Sequence, residues 1–103
     1  MKYELTDETI ELNGVTLHRI RALCDFGNVK NGDLGGFIES EKNLSNSGNA
    51  WVYGKACVYG NARVYGNALV SGNALVSGDA EVLGNALVYG DAEVLGNAWV
   101  LVS

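Results

Sequence analysis

The chain has little of what most enzymes and nucleic-acid binders depend on. It holds one histidine and two cysteines in 103 residues, no proline, and 7 Lys+Arg against 12 Asp+Glu. A net charge of −5 argues against a nucleic-acid backbone or an anionic membrane as partner, because both require an excess of Lys and Arg. Cys24 and Cys57 match no metal or disulfide framework and have no neighbouring base, so both are expected to be inert free thiols. No stretch approaches the ~18 consecutive apolar residues of a membrane span. MKYELTDETIEL lacks the basic and apolar regions of a secretory signal. With 48% apolar residues the chain is too hydrophobic to stay disordered. These features predict one small soluble, cytoplasmic domain with no cofactor, whose partners are neutral, basic or protein.

What is present is a repeat. From Val52 the chain reads VYGKAC, VYGNAR, VYGNAL, VSGNAL, VSGDAE, VLGNAL, VYGDAE, VLGNAW and then VLVS, eight six-residue units in unbroken register. Each unit has Val first, Gly third and Ala fifth, and self-similarity at a fixed period marks a solenoid. In Ala-x-Val the outer two residues point to the same side of a strand, so Ala and Val face inward. Gly followed by Asn or Asp is turn chemistry, since these residues tolerate positive φ. A helix is excluded, because a period of six does not fit 3.6 and each interior glycine would cost about 1 kcal/mol relative to alanine. Strands this short cannot hold hairpin ladders, so coiling, which stacks strands at about 4.8 Å, must satisfy the backbone.

The pattern Val-x-Gly-(Asn or Asp)-Ala-x resembles the hexapeptide repeat of left-handed parallel β-helix proteins, in which three units make one triangular coil. The stretch ELTDETIELNGVTLHRIRALCDFGNVKNGDLGGFIESEKNLS is similar to a segment that precedes such repeats in small phage and prophage proteins, some of them called transferases. The resemblance implies an all-β, left-handed parallel β-helix. Many hexapeptide-repeat proteins are acyltransferases, and for an acyltransferase-like enzyme with an inter-subunit site, the alternative to a binding protein, the resemblance implies a trimer with sites between neighbouring coils, a histidine base and a long loop leaving the solenoid. This chain has no such loop in its repeats, and His18, its lone histidine, precedes them. His18 is therefore a weak catalytic candidate.

Ile38 and Leu44 extend the inward positions toward the N-terminus, and the eight-residue step from Leu44 to Val52 predicts a two-residue insertion at the corner SNSGN. The expected organisation is an antiparallel β-hairpin cap over residues 1–35 and a solenoid of nearly four coils over 36–103. Asn13-Gly14 is the expected hairpin turn. Alternation breaks after Leu17, so a bulge or strand end is expected near His18. GDLGG should turn the chain from cap into solenoid; it matches no phosphate-binding pattern. No polar segment follows AWVLVS, so the last strand should be covered by further residues or by a second chain.

With residues 18 apart stacked, one outer face carries Trp51, Tyr53, Leu69, Ser71, Leu87 and Tyr89, with no charge. An apolar patch of this kind predicts a homo-oligomer, dimer or trimer, through Trp51, Tyr53, Leu69, Leu87 and Tyr89, or alternatively through an end surface containing Trp99 and Leu101. A host protein, as target of an inhibitor, is a further candidate partner that the phage resemblance brings. The corner columns hold at most one carboxylate each, so they are expected to be amide ladders rather than calcium sites. The acidic cluster Glu4, Asp7, Glu8 and Glu11 is expected to be a solvated face.

Overall fold

The six-residue unit folds into a short strand and a corner. The computed structural model describes residues 1–103 throughout. Its strands are β1 (Tyr3–Leu12), β2 (Val15–Ala22), β3 (Leu34–Ile38), β4 (Trp51–Val52), β5 (Cys57–Val58), β6 (Arg63–Val64), β7 (Leu69–Val70), β8 (Leu75–Val76), β9 (Glu81–Gly84), β10 (Leu87–Val88), β11 (Glu93–Val94) and β12 (Trp99–Val102). They form the three walls of a parallel β-solenoid, ordered β10-β7-β4, β12-β9-β6 and β3-β5-β8-β11. Cys57 pairs with Leu75, Arg63 with Glu81 and Leu69 with Leu87, each eighteen residues on. Three units therefore make one coil. Phe37 pairs with Cys57 and Leu44 with Val64, twenty residues on, which places the expected two-residue insertion in the first coil.

The inward alanines and valines build the core. Val52, Val58, Val64, Val70, Val76 and Val82 are fully buried, as are the alanines from Ala50 to Ala86. Each coil donates backbone N–H groups to the next, for example Cys57 to Ala74 at 2.9 Å and Asn61 to Gly78 at 2.9 Å. The corner glycines all have positive φ. At Gly72 (φ +67°) a side chain would also collide with the coil beside it, since a Cβ there would lie 2.9 Å from the backbone N of Gly90. The amide ladders form as expected, with Asn61 Nδ2 donating to Asp79 at 3.1 Å and Asn73 Nδ2 to Asp91 at 3.3 Å.

The N-terminal residues do more than cover the first coil. β1 and β2 pair antiparallel through a two-residue turn with positive φ at both Asn13 and Gly14, and β2 then pairs antiparallel with β3. The hairpin thus continues one wall of the solenoid as a six-stranded sheet. The bulge expected near His18 lies on the opposite strand. Leu5 pairs with Ile20 and Thr9 with His18, so β1 carries two extra residues opposite Arg19. Thr6 holds the bulge, its hydroxyl donating to the Arg19 carbonyl at 2.8 Å. Alternation in β2 is therefore intact. Ile20 and Ala22 face the solenoid core, and Leu17 packs on the other side of the sheet with Phe37 and Cys57.

The end of the core is closed by Tyr3, Phe26, Val29 and Trp51. Trp51 meets the rings of Tyr3 and Phe26 edge-on, at centroid distances of 6.2 and 5.2 Å. Tyr3 donates its hydroxyl to the Leu44 carbonyl at 2.6 Å. Lys2 Nζ lies over the Phe26 ring and donates to the Ala50 carbonyl at 2.7 Å. Gly35 and Gly36 let β3 approach this end: a Cβ on Gly36 would lie 2.5 Å from the Ala56 carbonyl oxygen.

Two outcomes test this packing. Gly90 has φ +65° but nothing within 4 Å of a Cβ, so Gly90→Ala should cost only the left-handed strain, about 1–2 kcal/mol, and Gly72→Ala clearly more. Urea unfolding of the two variants measures the difference; equal costs would mean that the corners are not tightly stacked. Burial lowers the Lys2 ammonium from 10.5 to about 8. The folded state then releases a proton that the unfolded chain keeps, so this group adds stability as pH rises from 8 to 10.5. Over that range the wild type should gain about 1–3 kcal/mol relative to Lys2→Met in denaturant titrations. A constant difference would contradict the desolvated position of Lys2.

Candidate interaction surface

The outward residues sort onto the three walls as the repeat arithmetic requires, but the N-terminal segment covers part of them. Trp51 was expected to lie exposed on the uncharged face. It is instead buried, with 1% of its surface accessible, because Tyr3 and Phe26 close over it. Tyr53 and Leu69 are half-buried and pack against the core. Burial, with Asp33 nearby, raises the Tyr53 hydroxyl above its ordinary pKa. The neighbouring wall is sheltered too. Cys57 is buried beneath Leu17 and Phe37, and its thiol is pushed up by desolvation, which suits an inert side chain. Cys24 is exposed.

Away from the hairpin the same walls are bare. Leu87 is 59% exposed and Tyr89 70%, on the continuation of the uncharged face. Trp99 (65%) and Leu101 (57%) stand on the adjacent wall, where β12 pairs with β9. Leu95 and Val102 are exposed as well. Of the interface residues expected from the sequence, Leu87, Tyr89, Trp99 and Leu101 are available to a partner, Tyr53 and Leu69 partly so, and Trp51 is not.

His18 sits in β2 with Thr9 and Ile38 as its cross-strand neighbours. Its Nδ1 lies 3.1 Å from the Thr6 carbonyl, which can only accept, so Nδ1 carries the proton and the ring braces the bulge. No cavity includes His18; the one cleft of the structure is lined from the first-coil corner and β6. No three His, Cys, Asp or Glu side chains come together as a metal site. The acidic residues of β1 are partly paired, Glu4 with Arg21 and Glu8 with Arg19, the latter at 3.0 Å. No helix is long and apolar enough to cross a membrane.

No curated protein matches the chain. A family model described as the YdcK Beta solenoid repeat matches residues 56–72 and again 62–78. The two matches are offset by six residues, the length of one strand-and-corner unit. This stretch, which contains β5 to β8, is thus similar to that repeat, and with the three parallel walls it makes the protein a β-solenoid.

Proposed function

We propose that the protein is a non-enzymatic β-solenoid that works by association, meeting a second copy of itself through the apolar side chains of its bare walls. The observation that carries this reading is the set of four large apolar side chains, Leu87, Tyr89, Trp99 and Leu101, each more than half exposed on a rigid, repeating backbone. Apolar surface of this kind is rarely left in water on a monomer, and aromatic anchors dominate interface energies. The rigid solenoid supports such a role, since its side chains are held in place before the partner arrives. A dimer or trimer about an axis beside the Leu87 and Tyr89 wall would place them at the interface centre. If the chain is of phage type, as its resemblance implies, a host protein would use the same side chains.

Light scattering at high micromolar concentration tests association. The wild type should run as a dimer or trimer, and Leu87→Glu combined with Tyr89→Glu should reduce it to a monomer without loss of secondary structure. Trp99→Glu combined with Leu101→Glu reports on the neighbouring wall. A wild type that remains monomeric would overturn the proposal. The non-enzymatic part is tested separately with acetyl-CoA, which should show no saturable binding and no turnover. His18→Ala should cost about 1 kcal/mol, the worth of one hydrogen bond, and leave association unchanged. Saturable acetyl-CoA binding that disappears in His18→Ala would restore the enzyme reading.

A further inference from the structure

Two places in the chain set an asparagine directly before a glycine: Asn13-Gly14 between β1 and β2, and Asn31-Gly32 in the loop that leads to β3. In such a pair the asparagine side-chain amide is open to attack by the backbone nitrogen of the next residue, because glycine puts no Cβ in the way. Both asparagines and both glycines are exposed, and both glycines have positive φ. Sequence and exposure therefore do not separate the two sites. Their backbone nitrogens do.

The Gly32 N–H donates to the Ala22 carbonyl at 2.9 Å, which ties this loop to the end of β2. The residues around it are held as well. The Asn31 N–H donates to Asp25 Oδ1 at 2.8 Å, the Lys30 N–H to Asp33 Oδ2 at 2.9 Å and the Asp33 N–H to the Lys30 carbonyl at 2.9 Å. The Gly32 nitrogen cannot swing toward the Asn31 side chain until the loop opens locally. The asparagines of the repeat are restrained in a similar way. Ala62, Ala74, Ala86 and Ala98, which follow Asn61, Asn73, Asn85 and Asn97, donate their N–H groups to the carbonyls of Tyr59, Ser71, Leu83 and Leu95, and each adds a methyl group beside the nitrogen.

The Gly14 N–H has no partner. The hairpin ladder ends at the Leu12–Val15 pair and leaves both turn residues outside it. A Cβ at Gly14 would meet nothing within 4 Å, so the tip has room to move. The Asn13 side chain is tethered only by a long bond, 3.4 Å from Nδ2 to the Tyr59 hydroxyl. We infer that Asn13 is a site of self-modification in the folded protein, with water as the one co-reactant. The Gly14 nitrogen gives up its proton and attacks Asn13 Cγ; the N–Cγ bond forms, the Cγ–Nδ2 bond breaks, and the amide leaves as ammonia with the proton. Water then opens the cyclic imide at either carbonyl, which leaves aspartate or isoaspartate at this position. Both products put a carboxylate near Glu11 and remove the amide donor to Tyr59. Isoaspartate also adds a carbon to the main chain of a turn whose register depends on having two residues.

Incubating the full chain at mildly alkaline pH, with peptide mapping by mass spectrometry and an isoaspartate-specific methylation assay, tests the site. In the folded chain Asn13 should convert about tenfold or more faster than Asn31, since freeing the Gly32 nitrogen first breaks a hydrogen bond and leaves the Ala22 carbonyl unmet. In a parallel sample unfolded in guanidinium chloride the two should convert at similar rates, because the reacting pair is the same. Equal rates in the folded chain, faster conversion at Asn31, or conversion of Asn13 only after unfolding would each overturn the proposal. So would an Asn31 that stays slow in the denaturant, since neighbouring side chains and not the fold would then separate the sites.

Discussion

Coil-to-coil backbone hydrogen bonding at a fixed spacing is the constraint on which this structure depends. A strand of two residues has almost no stability alone, so each must find its partner exactly one coil away, and the chain must turn three times in every eighteen residues to return there. Only a corner with positive φ and no side chain allows both the turn and the close approach of the next coil. Gly60 stacked on Gly78 and Gly72 on Gly90 show the two demands meeting at one residue type. The alanines follow from the same geometry, since the inward position next to a corner has room for a methyl group and little else.

A solenoid also has ends, and its first coil must be closed by something other than another coil. Here the closure is aromatic and cationic. Tyr3, Phe26 and Trp51 fill the cross-section, Lys2 reaches across Phe26 to the Ala50 carbonyl, and the Tyr3 hydroxyl holds the carbonyl of Leu44. The hairpin that delivers these residues is a continuation of one wall, and its outer side shelters Phe37 and Cys57 through Leu17. The walls consequently differ along their length: sheltered near the hairpin, bare at Leu87, Tyr89, Trp99 and Leu101. That asymmetry gives an internally repetitive chain a distinct exposed apolar surface and, where the first coil departs from the repeat, a distinct cleft.

Much of this was legible in the residues. The period of six named the inward valines and alanines, the glycine corners, the amide ladders and the three-walled stacking, because each position of the repeat faces the same local geometry every time. The insertion after Leu44 and the turn at Asn13-Gly14 were legible for a similar reason, one as a break in register and the other as a turn that needs positive φ twice. The bulge was placed on the wrong strand because alternation counts residues on one strand and cannot see that the extra residues belong to its partner.

Wherever position depends on the repeat alone, the sequence by itself determined the outcome: the β-solenoid, its coil length, its core and the columns of its outer faces. Only the tertiary structure decided which of those columns meet water. Trp51 and Leu87 are equivalent in the repeat, yet one is buried and the other 59% exposed. The difference arises from Tyr3 and Phe26, residues some 48 and 25 positions earlier, which the fold brings onto Trp51 and not onto Leu87. The cleft has the same origin. Arg63 looks like an ordinary outward residue until the first coil turns Asn43 inward and withdraws the side chain that would have lain over it. Exposure is set by contacts between distant segments, and a period of six residues carries no information about them.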